Sequence, residues 1–276
     1  MSAIPYLRSV AGVAVWQLLL TGSVVFGEPS GKPDHPLVQV LRMAKPIHEH
    51  IVSDIRDYTA TLIKRERLGD ELSDYITMFI KVRHAQIKDG QTAVPFSVYL
   101  RFLGPEGVKG REVMYVEGHN DGKLLAQESP NTVTGKIFGT TALNPTGLLA
   151  MRGNRYPITE IGIEMMIRRL MEVAKTDMKY DETKVTILKG AKVGDRTCHC
   201  LQVVHPVRRD YFRYHLARVF IDDALNLPIR YASYDWPKSP GDDPPLLEEY
   251  TYMDLKINVG LNDSDFDTSH PDYHFK

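Results

Sequence analysis

The side chains best suited to holding a metal stand together at Cys198-His199-Cys200, which contains the only two cysteines of the chain. A soft-metal site needs four such ligands, commonly as two pairs, and the second pair is absent. Residues two apart on a strand share a face with Cα atoms about 6.5 Å apart, an awkward span for a disulfide, while His199 faces away from both thiols. The triplet therefore reads as two small, half-buried strand residues. His48 and His50 flank Glu49 in a helical stretch, where a two-residue step turns them about 200° apart and prevents a shared ion. Asp263, Asp265 and Asp267 alternate as in a calcium loop but lack its glycine and closing glutamate. No metal and no cofactor is expected.

Catalytic signatures are equally thin. The chain has no G-x-S-x-G, no H-E-x-x-H, no phosphate-cradling loop and no G-x-G-x-x-G, so acyl transfer, zinc hydrolysis and nucleotide chemistry lack their local machinery. A hydrolase survives only as residues converging from distant positions at the mouth of a sheet. Between His205 and Arg218, Arg208, Arg209, Arg213 and Arg218 interleave with Tyr211, Tyr214 and His215. That run reads either as a phosphate or acidic-partner site or as the solvated face of a strand.

The stronger signal is apolar. From Pro157 to about Lys175 the spacing predicts a helix in which Ile163, Met166, Ile167, Leu170, Met171 and Ala174 form one stripe, opposite Glu164, Arg168, Glu172 and Lys175. Met165, Met166 and Met171, with Met178 beyond, make that helix adaptable, as core filling or as the wall of a ligand site. Val98, Leu100 and Phe102 share one strand face, and Ile76, Met78, Ile80 and Val82 share another; Lys81, Arg83 and Arg101 look away. Tyr250 and Tyr252 fall on one face, with Thr251, Met253 and Leu255 on the other, and would either bind a headgroup or pack across strands. The candidate ligand-binding set is Val98, Leu100, Phe102, Ile163, Met166, Ile167, Leu170, Met171, Tyr250 and Tyr252.

These residues need elements to position them. Leu37, Val40, Leu41, Ala44, Ile47, Ile51 and Ile55 recur at three and four, predicting a first helix over Pro36 to Asp57 that Pro46 kinks or splits. Period-two segments predict antiparallel strands over 58–68, 75–82, 96–103, 112–117, 184–189, 196–204, 212–221, 228–235 and 247–259. The segment from Gln127 to Tyr156 reads as one long loop, 238–245 as a hairpin loop, and 262–276 as a tail over the surface. With about nine strands, two helices and no βαβ alternation, the fold class is α+β: one large curved antiparallel sheet, an unclosed half-barrel, with helices on its concave face.

Composition bounds the rest. The 276 residues are 43% hydrophobic and 25% charged, with 34 basic and 35 acidic groups, so a buried core is expected and nucleic-acid binding is not. Lone Arg8 precedes an uncharged stretch from Ser9 to Phe26 that reads as a secretory signal over 1–27, too polar to span a bilayer. A Pro- and Gly-rich linker follows over 28–35, then one half-barrel domain over 36–276, exported to the periplasm or cell envelope and soluble after signal cleavage.

The closing segment Glu249-Tyr250-Thr251-Tyr252-Met253-Asp254-Leu255-Lys256-Ile257-Asn258-Val259-Gly260-Leu261, with Asp265-Phe266-Asp267 and His270-Pro271-Asp272-Tyr273-His274-Phe275, resembles the end of a family of secreted bacterial proteins of unknown function. Tyr115-Val116-Glu117-Gly118 with Asn120, Gly122 and Lys123 resembles the same family. That family is similar in layout to the periplasmic lipoprotein-localisation carriers, which implies an open barrel with an apolar cavity under its helices; no single functional residue transfers. The expectation is a secreted non-enzymatic carrier or binding protein, a monomer, for an apolar ligand such as a lipid or acylated protein, with transient membrane contact. It would open by motion of the second helix or of 127–156. The alternatives are an envelope interaction module with a filled core, and a hydrolase.

Overall fold

Strand alternation sets the architecture of the computed structural model, which describes Asp34–Lys276 apart from Phe138. The expected signal and most of the expected linker lie outside the described residues. In chain order the elements are α1 (Leu37–Asp54), β1 (Asp57–Leu68), β2 (Glu71–Leu72), β3 (Ile76–Arg83), β4 (Gln86–Lys88), β5 (Gln91–Val94), β6 (Ser97–Gly104), β7 (Glu112–Val116) and β8 (Leu124–Gln127). There follow α2 (Val133–Ile137), β9 (Thr141–Leu143), α3 (Leu148–Met151), α4 (Ile163–Asp177), β10 (Lys184–Val193), β11 (Arg196–Val204), β12 (Leu216–Asp222), β13 (Pro228–Tyr234) and β14 (Leu246–Ile257).

Twelve strands form one sheet in the order β10-β11-β12-β13-β14-β1-β3-β6-β7-β8-β9, with β2 paired to β1. Every pairing is antiparallel. Two meanders meet where β14 returns to pair with β1, from Tyr58↔Ile257 to Glu66↔Glu248. β10 and β9 stay at opposite edges, so the sheet curves without closing. Bulges in several pairings, one of them between Thr59 and Thr61, bend it.

One face carries the main core. Tyr58, Ala60 and Leu62 of β1 meet Ile80, Val98, Leu201 and Val219 there, covered by Val40, Ala44, Ile47 and Ile51 of α1 and by Ile163, Ile167 and Ala174 of α4. Burying one such aliphatic side chain contributes about 1.5–3 kcal/mol. α1 runs unbroken through Pro46, correcting the expected split: its buried face on α4 and the sheet outweighs one lost backbone hydrogen bond.

Further corrections concern segments too short or too mixed for periodicity to resolve. The 127–156 segment is no single loop: β9 pairs with β8, and α2 and α3 flank it. β12 starts at Leu216, because Phe212 and Tyr214 alternate for another reason, packing around buried His205 with ring centroids 3.8 and 5.0 Å away. The tail is held firmly. Tyr273 stacks on Tyr99 at 4.0 Å, Phe266 joins Met114 and Val116 in a second core on the outward face, and Asp265 and Asp263 receive Lys81 and Arg83 at 2.7 Å each. Cys198 and Cys200 are fully buried where half-burial was expected, Cys198 packing with Val193 and Ile229. Burial pushes the Cys198 thiol up to about 11 and raises that of Cys200, which leaves both unreactive.

Candidate functional site

α4 is set in place from its first residue. Gly162, at φ +121°, precedes it, and the Ile163 backbone N–H donates to the hydroxyl of buried Tyr58 at 3.1 Å, satisfying one of the donors that a helix start leaves open. A Cβ on Gly162 would lie 2.8 Å from that oxygen. So held, the helix presents two different edges. Ile163, Ile167 and Ala174 are buried in the core with α1, whereas Met165, Met166, Arg169, Leu170 and Val173 border a space that the sheet and helices do not fill.

That space is a cavity of about 600 Å³, within the range of small-molecule sites. Leu62, Met78, Leu100 and Phe102 supply apolar strand walls, Tyr231, Leu247, Tyr250 and Tyr252 the wall from β13 and β14, and the chain from Gly139 to Gly162 most of the rim. Leu149 of α3 lines it while 71% exposed, and neighbouring Leu148 is 93% exposed.

At one end the apolar wall gives way to charge. Tyr58, Ala60, Leu62, Lys64 and Glu66 fall on the same face of β1, so the last two carry the pattern from oily to ionic. Glu66 stands directly across from Glu248, a pairing of like charges that costs energy unless it is compensated. The compensation is dense. Lys64 Nζ donates to Glu66 at 2.9 Å and to Asn154 at 2.6 Å, and the Tyr250 hydroxyl donates to Glu66. Tyr156 and Ser233 donate to Glu248 at 3.2 and 3.3 Å. Arg155 Nε lies 3.0 Å from Glu248 but off the hydrogen-bond direction, an ion pair without a hydrogen bond. Burial, reinforced by Glu248, holds the Tyr250 and Tyr231 phenols well above their ordinary range and raises that of Tyr156, so all three stay neutral and Tyr250 and Tyr156 act as donors. No histidine among the described residues lines the cavity. Among the described residues no group of three or more His, Cys, Asp or Glu is placed to hold a metal ion.

A family model described as "Protein of unknown function (DUF1571)" matches residues 55–275. The chain belongs to this family. No curated protein matches the sequence. Solved structures similar to the chain include the lipoprotein LppX of Mycobacterium tuberculosis, 11% identical, covering 83% of this chain and 98% of that one at TM-score 0.42. A LolA superfamily protein of Nitrosomonas europaea is 11% identical over 81% of this chain and 97% of that one, at TM-score 0.32. The MucA/MucB complex of Pseudomonas aeruginosa contains a chain 16% identical, covering 84% and 60%, at TM-score 0.43.

Of the ten residues singled out from sequence, Leu100, Phe102, Met166, Leu170, Tyr250 and Tyr252 line the cavity. Val98, Ile163 and Ile167 point into the closed core, and Met171 packs against that core from the flank of α4 away from the cavity. Within the expected stripe Ile163, Ile167 and Ala174 form the seam to α1 while Met166 and Leu170 reach the cavity, whose edge is centred about 100° round the helix from the stripe. Arg169 and Val173, which share an i, i+4, i+8 row with Met165, were missed because Arg169 interrupts its hydrophobicity; Met165 is one of the adaptable methionines expected from sequence, and it lines the cavity. Lys64, Glu66 and Glu248 were missed as well; two charges ending an apolar face were the available signal. The basic run between His205 and Arg218 separates: Arg208 reaches Asp235 at 3.5 Å, Arg209 pairs with Glu182, Arg218 donates to Gln202 at 2.9 Å, and Arg213 borders the cavity.

Proposed function

We propose that this chain is an exported, non-enzymatic carrier or binding protein that holds an apolar or amphiphilic ligand, a lipid or the acyl chain of a protein, between its sheet and α4. The observation that carries the reading is the cavity of about 600 Å³ with oily walls and one polar end. Removing about twelve methylenes from water contributes roughly 10 kcal/mol, enough to offset the cost of association. Methionines at the α4 edge repack around chains of different shape. Uptake would pass over α3, where Leu148 and Leu149 offer a small apolar contact to a membrane surface beside the rim. No helix of the described residues is long and apolar enough to cross a membrane.

Solvent extraction of the purified protein followed by lipid mass spectrometry tests the proposal. About one amphiphile per chain is expected. Protein that is empty and also leaves fluorescent fatty acids unbound would end the reading.

A further inference from the structure

The charged residues around the cavity are out of balance. Lys64, Arg111, Arg152, Arg155, Arg169 and Arg213 line it, against the four carboxylates of Glu66, Glu128, Glu160 and Glu248. The whole chain has a formal net charge of −1, so the positive excess is local to this space. Every one of the four carboxylates is already held by the protein. Glu66 takes Lys64 and Tyr250, Glu248 takes Tyr156 and Ser233, Glu128 lies 3.0 Å from Arg111, and Glu160 pairs with Arg169. The lining acids have little left to offer a ligand.

Donors are left over. Arg155 Nε is buried without a hydrogen bond, and Lys64 uses two of its three N–H groups. Arg152 and Arg213 are exposed at the cavity wall, and among the described residues no carboxylate pairs with either. A cationic head would meet net repulsion here and a neutral head would leave both guanidinium groups unused. A carboxylate or phosphate would accept charge-assisted, fork-shaped hydrogen bonds from them. We infer that the ligand is an anionic amphiphile, its alkyl chain along Leu100, Phe102 and Met166 and its acidic head at Arg152 and Arg213. The inference rests on the carrier reading and adds the sign of the head.

Calorimetric titration of the full chain with four probes of equal chain length decides it: dodecyl phosphate, dodecanoate, dodecyl maltoside and dodecyltrimethylammonium. The anionic probes should bind at least about tenfold tighter than the maltoside and the ammonium weakest, since a charge-assisted contact of this kind is worth a decade or more in affinity. The Arg152→Gln/Arg213→Gln double variant should lose about that factor for the anions and keep maltoside binding within about twofold, which also shows that it folds. Whichever anion binds tighter identifies the head as phosphate or carboxylate. Equal affinity for all four heads, or an anion preference surviving in the double variant, overturns the inference while leaving the carrier reading intact. Failure of every probe overturns both.

Discussion

Glu66 and Glu248 face each other across β1 and β14, and their neighbourhood shows what single residues do here. Lys64, 9% exposed along its side chain, is the cation closest to that pair. Replacing it by Met removes the Glu66 partner and leaves a buried carboxylate short of compensation, a loss of about 3 kcal/mol. Urea denaturation of Lys64→Met should show a lower midpoint at unchanged slope; an unaltered midpoint would mean that Tyr250 and the Arg155 backbone N–H, which donates to Glu66 at 3.3 Å, suffice. Asp265 offers a second residue-scale test. Burial pushes its carboxyl upward, but hydrogen bonds from Lys81 and the Asn262 amide outweigh burial and hold it below the ordinary range. A depressed carboxylate stabilises above its unfolded value, near ~3.9, and that stability is lost as pH falls through the lower folded value. Amide exchange at Asn262 and Tyr273 should therefore accelerate relative to β3 only below about pH 4. Acceleration already at pH 6 contradicts the assignment.

Among the elements, α4 is the one whose placement creates the site, and its placement depends on one contact. Gly162 is needed both for its backbone angle and because a Cβ would press on the Tyr58 hydroxyl. Gly162→Ala should cost about 1–3 kcal/mol, since a left-handed φ and a close approach add. Tyr58→Phe, which removes only the acceptor for the Ile163 N–H, should cost about 1 kcal/mol. Thermal unfolding of the two variants measures both losses; a Phe variant as stable as the parent chain would show that the helix start is held in some other way. The edge of α4 that faces the cavity follows from this seating, because α1 takes the adjacent edge.

For the molecule as a whole, the question is whether the space is used. Ala126 lines the cavity from β8, and a larger side chain there grows into open volume where the core proper would resist it. Ala126→Trp should leave the unfolding temperature nearly unchanged and reduce uptake of a fluorescent fatty acid by about tenfold, as the lost volume displaces several methylenes. A sharp fall in stability would mean that the region is already packed. Full uptake with stability intact would place the ligand elsewhere.

Most of the fold was legible in the sequence because period-two runs such as 76–82 and the three-four spacing of α1 record which side each residue buries, a local property. The resemblance in the closing strand and tail pointed to the family for a similar reason, being a continuous segment. The cavity was not legible. The same apolar stripe serves a closed seam or an open wall, and only the angle at which α4 lies between α1 and the sheet decides which residue meets which. Nor could the polar end be read, since Glu66 and Glu248 are 182 positions apart and meet only because β14 returns to β1. Spacing determines faces; the pairing of distant strands determines what those faces enclose.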